Sequence, residues 1–274
     1  TDAIQKIGLI LFSVGLLLFL IAAFGGGSQN SILFFSLSIG LSVAGSLIYI
    51  LRKYLNETAG VKNNHNWHSS LTSRGIFAWM LGVIITGFYI VLYWFPSLLE
   101  NLIRMMDPLS KLLRGKTSDQ WLLYGTLYTI AILVMGIKAI LKYRHSNYQI
   151  IRTLSIMFFQ FGFAYLIPAL LQLFNQPEFY FSYFWPLKYD YLFPSTVNYL
   201  IQQPGGLGVF MVFWGGIMTF IATPVLTYFY GKRWYCSWVC GCGGLANTAG
   251  DPFRQLSDKS LKAWKIERWM IHSV

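Results

Sequence analysis

The stretch Ile7-Gly8-Leu9-Ile10-Leu11-Phe12-Ser13-Val14-Gly15-Leu16-Leu17-Leu18-Phe19-Leu20-Ile21-Ala22-Ala23-Phe24 carries no charged side chain and is apolar on every face. A helix that crosses the hydrocarbon core of a bilayer needs about 20 such residues, because each adds only about 1.5 Å. The same pattern recurs at residues 31–51, 76–95, 121–141, 153–174 and 207–229. None of the six windows contains Asp or Glu, and Lys138, about one turn from a helix end, is the only charge in them. There a lysine can extend its ammonium to the headgroups. Gly25 to Asn30 leave room only for a tight turn, so the first two windows predict a hairpin. The first apolar stretch lacks a small-residue cleavage site and is followed at once by a second span, so it reads as a retained helix. The expected fold class is all-α, a polytopic transmembrane bundle of about six spanning helices with an interfacial helix.

Composition agrees. Of the residues 55% are hydrophobic and 11% charged, against roughly 25% charged in soluble domains. Too little charge is available to build a water-facing surface, so most of the outside has to face lipid. The net charge of +11 does not argue for nucleic acid, because membrane proteins collect Lys and Arg on one side. Anionic lipid headgroups are the expected partner for that charge.

With the N-terminus inside, most of the 21 basic residues fall on the inner side. The positive-inside rule then places residues 231–268 in the cytoplasm. The third loop is the weak point of this topology, since it puts Arg104, Lys111, Arg114 and Lys116 outside. Residues 97–116 have apolar side chains at helical spacing, which predicts a helix lying in the interface and bent near Pro108. Residues 175–206 are crowded with aromatics, including Phe179, Phe181, Tyr183, Phe184, Trp185 and Tyr191. They read as an aromatic lid at the outer headgroups, or as a docking surface for a periplasmic partner. Pro168 and Pro224 are expected to kink the fifth and sixth spans.

The residues best suited to chemistry follow the sixth window: Gly231-Lys232-Arg233-Trp234-Tyr235-Cys236-Ser237-Trp238-Val239-Cys240-Gly241-Cys242-Gly243-Gly244. All three cysteines of the chain are here. Cys236 and Cys240 are four apart, so one helical turn would align their sulfurs. Gly241, Gly243 and Gly244 let the backbone curl and aim N–H groups at an anionic centre. Lys232 and Arg233 favour thiolates over thiols. Iron–sulfur clusters need thiolate ligands, normally four, and their properties are tuned by hydrogen bonds to sulfur. Cys236, Cys240 and Cys242 are therefore candidate metal ligands one short of a set. Zinc, palmitoylation beside a membrane helix and simple packing are the competing readings.

The run from Gly231 to Cys240 resembles the motif of membrane polyferredoxins of the NapH/NosR type, roughly G-R-x-[FW]-C-G-W-x-C-P-x-G. By that resemblance Cys236 and Cys240 are the motif cysteines, Trp238 the motif aromatic and Gly243 the glycine after the proline position. Gly241 stands where that family has proline, and Cys242 is an additional thiol. The resemblance covers about 15 residues. It implies a bacterial inner-membrane electron-transfer protein with a 4Fe-4S cluster at the cytoplasmic face. It also implies exchange of electrons with quinone or a respiratory complex, and a ferredoxin-like part following the bundle or supplied separately.

The expected organisation is a six-helix transmembrane domain at 1–230, a cytoplasmic cysteine-rich and basic amphipathic segment at 231–268, and the start of a further span at 269–274. His65, His68, His145 and His272 all lie outside the spans, which disfavours a haem held by two histidines inside the bilayer. His65 and His68 read as a solvated pair. Trp79, Tyr89, Tyr93 and Trp94 read as lipid-facing or packing aromatics, with a quinone pocket as the minority reading. Two rival functions stand beside electron transfer: a transporter or channel, which usually leaves charge in its spans, and a cofactor-free structural anchor of a respiratory complex.

Overall fold

A computed structural model describes residues 2–26, 30–60, 75–184, 188–231, 233–251, 253 and 260–273. His65, His68, Lys232 and most of the segment between Asp251 and Ser260 lie outside the described residues. Among the described residues the secondary structure is helical throughout. Among the described residues six helices are long and apolar enough to cross a membrane: Ala3–Ala23, Ser31–Leu55, Ile76–Trp94, Gln120–Lys142, Asn147–Leu173 and Leu207–Tyr230. The protein is a multi-pass membrane protein, and the six windows of the sequence are these six helices with ends shifted by up to six residues.

Helices α1 (Ala3–Ala23) and α2 (Ser31–Leu55) form the expected hairpin. Small residues let the two backbones touch, as is usual where lipid removes the hydrophobic drive between helices. A Cβ on Gly8 would come within 2.8 Å of the Gly45 carbonyl, and one on Gly15 would strike Ser42 and the Ser38 carbonyl. The large side chains of the hairpin point outward. Helix α3 (Gly75–Trp94) is largely exposed over its first half, Trp79 being 78% exposed, and packs only near its C-terminal end through Phe88 and Leu92.

The third loop is a 3-10 turn (Pro96–Leu99), α4 (Glu100–Met105) and α5 (Asp107–Arg114). The break falls at Met106–Asp107, where Pro108 enters the first turn of α5. This segment is more than an interfacial helix: Leu102, Met105 and Met106 are buried against Ala22, Leu92 and Leu123, where α1, α3 and the next helix end together. Arg114 is also buried. It holds Asp119 through two hydrogen bonds of 3.0 and 2.5 Å and donates to Gln172 at 2.6 Å. Asp119 in turn caps α6 (Gln120–Lys142) through the Leu122 N–H. Burial opposes charge on both partners. The paired hydrogen bonds outweigh it, holding Asp119 below the usual carboxylate range and Arg114 above its ordinary value. Two of the four basic residues of this loop are thus ion-paired within it, Arg114 with Asp119 and Arg104 with Glu100.

Helix α6 is the axis of the bundle. The fifth span lies beside it as α7 (Asn147–Phe158), a π-helical stretch (Phe159–Leu166) and α8 (Ile167–Leu173). The sixth repeats the plan: α9 (Pro194–Ile201) precedes α10 (Leu207–Ile217), a π-helical stretch (Met218–Ala222) and α11 (Thr223–Tyr230). Each π stretch ends just ahead of a proline, Pro168 or Pro224. Proline lacks an N–H and its ring presses on the preceding turn, and a widened turn relieves that pressure. The Thr223 hydroxyl donates to the Met218 carbonyl at 2.7 Å inside this widened turn.

The aromatic fifth loop packs inward. Phe179 is 2% exposed and stacks on Tyr191 at 4.7 Å. Trp214 of α10 donates to the Phe181 carbonyl at 2.9 Å. Phe184 is buried against Tyr235. A lid resting on the outer headgroups would leave these rings outside the fold. Phe179 and Phe181 turn inward onto Leu200 of α9 and Met211 and Trp214 of α10, and Phe184 onto Tyr235 of the cysteine segment.

Candidate metal centre

Chain order places the cysteines just past the Tyr230 end of the sixth span, at a membrane face. The structure folds them back. Gly231, at φ +78°, reverses the chain after α11. Helix α12 (Trp234–Trp238) follows, tied to α11 by Trp234 Nε1 donating to Thr227 at 3.2 Å. The N–H groups of Val239 and Cys240 both donate to the Tyr235 carbonyl at 2.9 Å, which closes α12. Cys240 is then the N-cap of α13 (Gly241–Thr248), with extended backbone at ψ 127°.

Three glycines explain why α13 seats where it does. A Cβ on Gly241 would strike Gln160 Oε1 of the fifth span and stand 3.0 Å from Tyr128 Cε1 of α6. A Cβ on Gly243 would overlap the Cys236 carbonyl of α12, and one on Gly244 would strike Ile156, with Ile132 3.8 Å away. Gly241, Gly243 and Gly244 therefore serve close packing between α13, α12, α6 and the fifth span. Both ends are pinned. Tyr235 donates its hydroxyl to the Ser182 carbonyl at 2.6 Å, and Ser155 donates to the Trp238 carbonyl at 2.9 Å. At the far end the Asp251 carboxylate pairs with Lys142 and accepts from the Tyr143 hydroxyl at 2.7 Å.

The depth of the thiols follows from these contacts. Ile132 stands about 18 Å from the Gln120 end of α6 and about 15 Å from its Lys142 end, and Tyr128 about 12 Å from the former, by helical rise. The Cys240–Cys242 segment thus lies level with the middle of the bundle, between two helices that span it. It is covered on one side by the fifth loop, whose Tyr183 is pushed up to about 12 by burial and by its neighbours Cys240 and Cys242.

The thiols of Cys240 and Cys242 lie close enough to interact: that interaction lowers the pKa of Cys242, while that of Cys240 is raised by it and by burial. The N–H groups of Cys242 and Gly243, in the first turn of α13, also turn toward the Cys240 sulfur. Cys236 on α12 and Cys242 on α13 are both exposed, and Cys240 is half-buried. Among the described residues no group of three or more His, Cys, Asp or Glu side chains comes together as a metal site. Of the candidate ligands, Cys240 and Cys242 are therefore brought together and Cys236 is held one element away. Trp238 packs edge-on to Tyr148 at 5.7 Å. Tyr128 and Gln160 were not singled out in the sequence, and Tyr183 was read only as one of the fifth-loop aromatics. Gln160 had one legible signal: an amide in an apolar span has to find a partner, here Thr129 at 3.1 Å.

Residues 210–260 match the model of a 4Fe-4S binding domain. The match supports an iron–sulfur binding family. It covers most of the sixth span, α12 and α13, with every cysteine of the chain inside it. No curated protein and no solved structure matches the chain. The donor set fits such a cluster in its chemistry. Two thiols sit at a helix N-terminus, where backbone N–H groups favour negative charge, and a third lies on the helix packed against it. Three cysteines leave one coordination position of a cubane to another ligand.

Proposed function

We propose that the protein is a membrane-bound electron-transfer subunit that holds a 4Fe-4S cluster through Cys236, Cys240 and Cys242. The observation that carries this reading is the folding of the 4Fe-4S-like segment into the bundle, with its thiols level with the middle of α6. One-electron uptake and release is the chemistry such a cluster supplies when bound. The chain would contribute thiolates from Cys236, Cys240 and Cys242 and N–H donors from the first turn of α13, with Tyr128, Gln160 and Tyr183 alongside Cys240 and Cys242. A site at this depth is closer to lipid-dissolved carriers than to water, which favours quinone as the redox partner. Further partners on this reading are subunits of a respiratory complex and a ferredoxin-like domain. The NapH/NosR type, the bacterial inner membrane and a cytoplasmic N-terminus belong to the same proposal.

A transporter finds little support, since the six spans contain no Asp or Glu. A cofactor-free anchor draws on one observation, the failure of three ligands to converge among the described residues. Anaerobic purification with iron and sulfide assays and reduced-state EPR separates these readings. A cubane signal in the wild type that is lost in Cys240→Ser is the expected result. Iron-free protein, or a signal that the substitution leaves untouched, would overturn the assignment.

A further inference from the structure

Tyr128 carries a buried hydroxyl that the fold leaves without a partner. Its oxygen stands 3.3 Å from where a Cβ of Gly241 would be, so it lies against the backbone between Cys240 and Cys242. It faces the Cys242 sulfur without closing a hydrogen bond to it. Of the neighbouring polar groups, Gln160 Oε1 also lies against Gly241, and the others are engaged. Gln160 donates to Thr129, and the Thr126 hydroxyl is bonded to the Leu122 carbonyl and to Tyr165. Tyr124 presents a ring to Tyr128 at 5.4 Å. A hydroxyl sealed in a membrane bundle has no bulk water to fall back on, and a buried donor left unmet in a native fold calls for an explanation. A sulfur that gains negative charge when the site is loaded supplies one.

We infer that Tyr128 donates a hydrogen bond to the Cys242 sulfur of the bound iron–sulfur centre and thereby raises its reduction potential. The inference rests on the proposal that this site holds a cluster. Its physical basis is general: reduction adds negative charge to the centre and its sulfurs, so a donor to sulfur stabilises the reduced form more than the oxidised one. Tyr128 is a positioning and tuning residue in this scheme. No proton or electron leaves it.

The test is a redox titration of the anaerobically purified full chain, followed by EPR, with iron and sulfide assayed on the same samples. Tyr128→Phe is expected to keep its iron and to shift the oxidised-to-reduced ratio at fixed potential up to about tenfold toward the oxidised form. Tenfold is about 59 mV for a one-electron couple. Tyr124→Phe, one turn away, is expected to leave the potential where it is. Should Tyr128→Phe fold poorly, 3,5-difluorotyrosine placed at position 128 keeps the shape with a more acidic hydroxyl, and the potential is expected to rise. Iron-free wild type would remove the underlying proposal. A loaded cluster whose potential ignores both replacements would overturn the role of Tyr128 alone.

Discussion

The α1–α2 hairpin and the α6–α13 region are built from opposite materials. The hairpin is held by contact between backbones at Gly8, Gly15 and Gly45, and its large side chains face outward. The α6–α13 region also uses glycines for close approach, but it surrounds them with Tyr128, Gln160, Thr129 and the Lys142–Asp251 pair. Polar groups inside a membrane are costly unless partnered. A fold that gathers its amide, phenol and ion pair in one place, and packs the other with glycine and two serines that bond to nearby carbonyls, divides scaffold from site.

Four substitutions test that division, from the largest effect down. Gly243→Val drives a branched side chain into the Cys236 carbonyl and should separate α12 from α13. Iron content should fall to background, and the protein should lose up to about 3 kcal/mol, the upper range for overpacking. Asp251→Ala leaves Lys142 part-buried without its carboxylate. A loss of about 3 kcal/mol in detergent unfolding is expected, the lower end for a broken buried pair, together with faster loss of iron on dilution.

Asp119→Ala strands the Arg114 guanidinium. Because the Asp119 side chain is 40% exposed, the loss should be nearer about 2 kcal/mol than the full buried-pair value. The same pair predicts a pH dependence. A carboxylate held low in the native state contributes fully above its ordinary value of 3.8, and the contribution is lost as pH falls through the lowered native value. Unfolding midpoints of wild type and Asp119→Ala should therefore converge in acid, and a constant gap would break the argument. Gly45→Ala, in the scaffold, should cost about 1 kcal/mol by spreading α1 from α2 and leave iron content and potential unchanged. If it strips iron, scaffold and site are one unit.

The spans were legible because crossing a bilayer demands length and apolarity, and both can be counted along a chain. The hairpin was legible because Gly25 to Asn30 leave no alternative to a turn. The cysteines were legible as residue types, but their depth was not. Chain order sets them beyond Tyr230, and only the fit of Gly241 and Gly244 against Gln160, Tyr128, Ile132 and Ile156 reverses that. Such a fit is a property of three helices at once. The inward packing of the third loop was hidden for a similar reason. Leu102, Met105 and Met106 have helical spacing whether they face headgroups or the ends of α1, α3 and α6. Tyr128 is one aromatic among the 17 tyrosines, and nothing in its surroundings along the chain marks it.

The depth of the thiols also has an electrical consequence. The cysteine segment stands about one third to one half of the way along α6 from its Gln120 end. A charge placed there has crossed a corresponding part of the voltage across an energised membrane. A full crossing is worth about 2.3 kcal/mol per 100 mV, so one electron added at this level feels roughly 1 kcal/mol per 100 mV. On the proposed function, the redox equilibrium of the bound cluster would be tied to the membrane voltage, and the sign of the shift would tell from which face the electron came.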